Sequence, residues 1–265
     1  GGTNAQGAVT LNGGNLLNSN DTLQAISLNF VGGGNTNTVA GRLTNNGTNT
    51  FSLNQNAGTS ILTGSNTYSG TNNISGGTLI VSNSSALGNS GNTLIVSGNG
   101  TLNFGGTTST QGAVTFSNSI ITNGGINATS FLLSGTTNNV SASLGGSAAV
   151  TAAAGTTLFT AANTYDGGTI LAGGTIVLSG AGTLGASTNN LTISNSTLNL
   201  GGTTQTNGVV IFANGTLTNG TLSSASSFSS VNGTNAIAAI LAGTAAFTNV
   251  SGLTTFYSNN TYTGG

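Results

Sequence analysis

The sequence predicts an all-β chain wound as a parallel β-solenoid of about 12 coils, at roughly 20 residues per coil. Three observations carry that expectation. The element Asn66-Thr67-Tyr68-Ser69-Gly70 returns as Asn163-Thr164-Tyr165-Asp166-Gly167 and begins again at Asn260-Thr261-Tyr262-Thr263-Gly264, with spacings of 163 − 66 = 97 and 260 − 163 = 97. Apolar residues alternate with Thr or Asn, the period of a strand with one buried face. The runs are short and are separated by Gly-Gly, Asn-Gly, Ser-Gly and Gly-Asn pairs, which supply tight turns. A β-sandwich also has many short strands, but it would lack the 97-residue self-similarity.

Within each unit the order of elements repeats. Gly1 to Leu11 is echoed by Gly105-Gly106-Thr107-Thr108 through Phe116, and by Gly201-Gly202-Thr203-Thr204 through Phe212. This gives units of roughly 1–104, 105–200 and a partial 201–265 within one continuous solenoid. The offsets, 112 − 7 = 105 and 208 − 112 = 96, assign a longer insertion to the first unit. The stretch from Leu28 to Asn56, with Gly32-Gly33-Gly34, is the expected place for it.

Alternation then fixes faces. Leu79, Val81, Leu102, Phe104, Val114, Phe116, Ile176, Leu178, Leu198, Leu200, Val210 and Phe212 are expected inside, with Asn103, Thr115, Thr192 and Asn199 outside. The small runs Ala148-Ala149, Ala152-Ala153-Ala154 and Ala238-Ala239 are expected to narrow the coil. Equivalent Asn and Thr residues of successive coils are expected to stack and hydrogen-bond along the solenoid, where like charges would repel.

Composition agrees with such stacking. Of 265 residues only Asp21, Asp166 and Arg42 carry charge, and there is no His, Cys, Met, Trp or Pro. Disordered chains combine low hydrophobicity with high charge, whereas 35% of this chain is apolar. Without Lys and Arg there is nothing to bind phosphate, so nucleic acid is not an expected partner. No apolar run approaches the roughly 20 residues of a membrane span. Neither a disulfide framework nor a thiol metal site is available.

At Gly64 to Val81, the sequence Gly-Ser-Asn-Thr-Tyr-Ser-Gly-Thr-Asn-Asn-Ile-Ser-Gly-Gly-Thr-Leu-Ile-Val resembles the autotransporter-associated β-strand repeat. The resemblance covers two copies and the opening of a third. It implies a right-handed parallel β-helix of the passenger type, exported to the bacterial surface.

No constellation for catalysis is expected. Tyr68, Tyr165 and Tyr262 recur as a sugar-stacking row would, but copies roughly 20 Å apart at one repeat position fit a packing role better. Asp21 and Asp166 are the only carboxylates, 166 − 21 = 145 positions apart, so a glycosidase pair would need an accidental juxtaposition and is not expected. The Ser hydroxyls have no His, Cys or Lys to activate them. Gly76-Gly77 and Gly32-Gly33-Gly34 lack the following helix and Lys of a phosphate loop and are expected to be turns. No catalytic, cofactor or metal residue is therefore assigned.

The expected function is structural: a segment of a secreted bacterial surface filament, sheath or fibrous stalk that associates with itself laterally or end to end. Incomplete pattern at both ends and no visible caps suggest a piece of a longer tandem array. The alternatives are an adhesin module for a cell or glycan surface and, less favoured, an ice-binding solenoid. For the last, Thr36-Asn37-Thr38 and Thr48-Asn49-Thr50 are the nearest approach to Thr-x-Thr rows, and they do not recur in later units.

Overall fold

The computed structural model describes residues 3–34 and 36–264. Gly1 and Gly265, with which the repeat pattern opens and closes, lie outside the described residues. The chain divides into two compact units, Gly1–Ser130 and Phe131–Gly265. Both are parallel β-solenoids with about 19 residues per turn, and together they make about 13 turns. The described residues contain strands, turns and bends but no helix.

In the first unit a turn has three faces. Its first face stacks Ala8–Leu11, Ser27–Phe30, Ser52–Gln55, Thr71–Ile74, Thr93–Ser97 and the start of Ala113–Thr122. The second stacks Gly14–Leu17, Thr36–Val39, Thr59–Leu62, Thr78–Val81, Thr101–Asn103 and the end of Ala113–Thr122. Asn118, at φ 56, turns the corner inside that ten-residue strand. Such a backbone angle suits Asn because its short polar side chain tolerates the left-handed region. On the third face Thr3–Ala5, Thr22–Ala25 and Arg42–Asn45 pair, as do Thr108–Thr110 and Gly125–Asn127.

The second unit repeats the plan. Its second face stacks the end of Ser130–Val140 on Thr156–Phe159, Thr175–Leu178, Thr197–Asn199, Thr216–Thr218, Thr234–Ile237 and Leu253–Phe256. Its first face runs from Ala149–Ala152 through Thr169–Leu171, Leu191–Ser194 and the end of Thr204–Ala213.

All twelve residues expected inside are buried, and Asn103, Thr115, Thr192 and Asn199 point outward and are half-buried. Parallel in-register pairing makes columns, as in Leu79 over Leu102 and Ile176 over Leu198. Each fully buried rung of this kind contributes about 1.5–3 kcal/mol of transfer free energy. Asn ladders also form: Asn54 Nδ2 donates to Asn29 Oδ1 (2.8 Å), Asn123 to Asn103 (3.0 Å) and Asn214 to Asn195 (3.0 Å).

The alanine runs need correction. Ala148, Ala152 and Ala239 are buried, but Ala149 is half-buried and Ala153, Ala154 and Ala238 are exposed. Strand alternation sends Ala149 outward, while Ala153-Ala154 begin the turn to Thr156–Phe159. Only one member of each run narrows the interior.

The insertion falls where expected. Ser27 is in register with Ser52, an offset of 25, whereas Ala8 to Ser27 spans 19. The added length includes a small excursion closed by an antiparallel bridge between Asn46 and Asn49.

Candidate functional site

The repeated element Asn-Thr-Tyr crosses the third face as an irregular strap rather than a strand. Its bonding explains its residues. Asn66 Oδ1 accepts the N–H of Leu43 one turn earlier (2.8 Å), and Thr67 N–H donates to Leu43 O (3.0 Å). Asn163 and Thr164 treat Leu144 identically (2.9 and 2.8 Å), and Asn260 and Thr261 do so to Leu241 (both 2.8 Å). On the opposite side Asn66 Nδ2 donates to Ala86 O (2.6 Å) and Asn163 Nδ2 to Thr183 O (2.8 Å). One buried amide thus ties three consecutive turns where ladder pairing lapses, satisfying backbone groups that would otherwise be orphaned.

Tyr68 and Tyr165 follow in the strap and are fully buried. The Tyr68 ring packs on Phe51 with centroids 4.7 Å apart, and its hydroxyl donates to Asn72 Oδ1 (2.5 Å). Asn72 Nδ2 then donates to Leu87 O and Gln111 Oε1 (both 2.9 Å). In the second unit Tyr165 bonds the Thr169 hydroxyl (2.7 Å), which reaches Leu184 O (3.4 Å). Burial pushes both phenols far above the usual tyrosine range; the Thr169 hydrogen bond opposes this at Tyr165. Tyr262 is half-buried, with its centroid 6.2 Å from those of Phe228 and Phe247. Tyr68 and Tyr165 therefore offer no ring to a sugar, and their role is packing.

The turn after the strap is equally specified. Gly88 and Gly185 sit at φ 76 and 79, and a Cβ there would lie 2.6 and 2.5 Å from Tyr68 O and Tyr165 O. Asn92 and Asn189 close the turn by donating from Nδ2 to the same Tyr carbonyls (3.1 and 2.6 Å). Gly76-Gly77 is a turn between Thr71–Ile74 and Thr78–Val81, as its sequence context indicated.

Beside the first strap lies a groove of about 330 Å³ lined by Ser69, Gly70, Thr71, Asn89, Gly91, Asn92 and Thr93. Its lining is polar and uncharged. The charged residues are scattered. Asp21 belongs to the first unit, where its carboxylate accepts the N–H of Asn18 (3.3 Å), and Asp166 is exposed in the second. Arg42 donates through Nε and Nη2 to Thr67 Oγ1 (3.2 and 2.9 Å), staying on the surface of the strap.

Register exposes a pattern that linear spacing concealed. Thr36, Thr59, Thr78 and Thr101 stand one above another on the second face of the first unit. Thr137, Thr156, Thr175, Thr197 and Thr216 do the same in the second. Threonines therefore stack from turn to turn, as expected of equivalent residues, in single columns whose members are 19–23 residues apart rather than in Thr-x-Thr rows. Of the two tripeptides singled out, Thr36 and Thr38 point outward around buried Asn37, whereas Thr48 and Thr50 lie in the inserted loop and join no column.

Two segments, residues 55–81 and 154–178, match the family model described as the passenger-associated-transport repeat. Each contains an Asn-Thr-Tyr strap and the following Gly-Gly turn into a second-face strand. No curated protein and no solved structure matches the chain. The repeats and the parallel β-solenoid fit an autotransporter passenger-type β-helix repeat protein.

Proposed function

We propose that this chain, an autotransporter passenger-like solenoid carrying two passenger-associated-transport repeats, is a structural segment of a secreted bacterial surface filament, sheath or fibrous stalk. It works by associating with copies of itself and turns over no substrate. The passenger repeat implies a secreted or surface-exposed protein. No helix among the described residues is long and apolar enough to cross a membrane, and nucleic acid is not a partner in this reading, since it needs cationic side chains.

One observation carries self-association. The outside of the stacked turns carries mainly Asn, Thr, Ser and aliphatic side chains, with Phe256 and Tyr257 exposed in the last turn and three charged residues in 265. Ile26, Val31, Ile120, Leu132 and Ile170 are exposed on it. Charge is what normally keeps soluble proteins apart, and near-zero net charge promotes association. Sedimentation and electron microscopy of the chain at micromolar concentration are the test. Ordered oligomers or fibres are expected; a monomer persisting across the concentration range would overturn the proposal.

A second function is favoured by the polar groove at Ser69, Thr71, Asn89, Asn92 and Thr93, whose hydroxyls and amides suit an uncharged glycan better than an ionic ligand. In that case the chain is an adhesin module. Glycan binding that is weakened by Thr93→Val in a monomeric chain would favour it. The threonine columns bear on the less favoured ice-binding alternative, which predicts thermal hysteresis of the purified chain.

A further inference from the structure

We propose that the second face of each solenoid unit is the lateral self-contact, and that its adhesive patch is the pair of outward aliphatic residues each passenger-associated-transport repeat places beside the threonine column. It rests on the self-association proposed above. In the first unit Ile61 and Ile80 are in register on successive turns, two positions along from Thr59 and Thr78. In the second, Leu158 and Val177 stand in register beside Thr156 and Thr175. These four aliphatic residues point outward and are half-buried, between Leu62, Leu79, Val81, Phe159, Ile176 and Leu178, which are fully buried. Both pairs fall within residues 55–81 and 154–178, the matched repeats.

Two properties identify a second copy as the occupant. Asp21, Arg42 and Asp166 all lie off the second-face strands, so two such faces meet without repulsion and without stripping water from an ion. A partner with an ordinary charged surface would bury its charges against no counter-charge, which is costly. The patch is also self-similar: rows repeat at about 4.8 Å along the stack and about 6.6 Å along a strand, so Thr and Ile columns of one copy can sit between those of another.

Area sets the strength. Six strands at about 4.8 Å spacing and about 13 Å in length offer roughly 400 Å² per unit. Contact through one unit buries roughly 800 Å² in total, whereas specific interfaces begin near 1,200 Å². Association through one unit is therefore weak, and it becomes stable when repeats act together.

The test is sedimentation of the full chain carrying Ile80→Lys, Val177→Lys or both, beside first-face controls Asn73→Lys and Ser229→Lys, the latter stacked in register on Ile211, with far-ultraviolet circular dichroism to verify the fold. Each second-face lysine is expected to raise the concentration at which assembly begins about tenfold, the pair more, while the controls leave it within about threefold. Ile80→Thr and Val177→Thr, which keep a β-branched residue, serve if a lysine variant unfolds; about threefold weakening is expected. Equal effects on both faces, or none on the second, overturn the patch while leaving self-association standing. A wild-type chain that stays monomeric overturns both.

Discussion

The hydroxyl of Tyr68 donates to Oδ1 of Asn72 at 2.5 Å inside an apolar column, whereas 97 residues later Tyr165 meets the smaller Thr169 at 2.7 Å. The two networks differ in what remains when the phenol is removed. In Tyr68→Phe the buried Asn72 carbonyl loses its donor, and an unsatisfied buried acceptor costs about 1–3 kcal/mol. In Tyr165→Phe the Thr169 hydroxyl keeps Leu184 O as acceptor, so the loss is about 1 kcal/mol or less. Urea unfolding followed by circular dichroism should rank Tyr68→Phe as the more damaging; equal midpoint shifts would contradict the network.

Replacing the strap asparagine is expected to cost more than replacing its tyrosine. Asn66→Ala orphans Leu43 N–H and Ala86 O together, and Asn163→Ala does the same to Leu144 N–H and Thr183 O. The Thr183 hydroxyl, which donates to Asn163 O and accepts Asn163 N–H, remains in the second unit. Losses of about 2–4 kcal/mol follow for each unit from two buried groups left unpaired. Hydrogen exchange supplies a local readout: the Leu43 and Leu144 amides should lose protection well before the amides of Leu79 and Ile176. Unchanged protection would mean that the strap contributes nothing to turn registration.

The strap shows how far the sequence was legible. Period, alternation and Gly/Asn turns were enough to place Leu79, Phe104 or Leu198 inside, because a strand with one buried face leaves no choice of side. The 97-residue recurrence of Asn66, Tyr68 and their copies pointed to this corner without revealing its bonds, since Leu43 and Ala86 are reached only once turns stack. The same holds for the column Thr156, Thr175, Thr197: offsets of 19 and 22 depend on loop lengths that the strand pattern does not set. Buried Asn72 and Gln55 broke the apolar rule for a related reason. Their partners, Leu87 O and Gln111 for Asn72, and Ala57 O and Gly58 O for Gln55, are loop or next-turn groups.

Glycine substitutions should separate backbone strain from crowding. Gly106 and Gly88 both have positive φ, 81 and 76, but a Cβ on Gly106 meets nothing within 4 Å, while one on Gly88 lies 2.6 Å from Tyr68 O. Gly106→Ala is expected to cost about 1 kcal/mol, the conformational term alone. Gly88→Ala must also displace the backbone of the strap, and a loss of at least about 3 kcal/mol is expected. Melting temperatures of the two variants check this, and similar values would show that the strap yields easily.

Stability should be flat from about pH 5 to 9 and should fall in alkali. The chain has no His or Cys to titrate in the neutral window. Burial raises the Tyr68 and Tyr165 phenols in the folded chain above their ordinary value, so above about pH 10 the unfolded chain releases protons that the folded chain retains. The contribution is complete below the unfolded value and declines as pH rises past it, by about 1.4 kcal/mol per pH unit for each tyrosine. Urea midpoints measured between about pH 5 and 12 test the sign. Tyr68→Phe should remove part of the alkaline slope while leaving the plateau flat, and a midpoint that drifts between pH 5 and 9 or holds steady to pH 12 would refute the assignment.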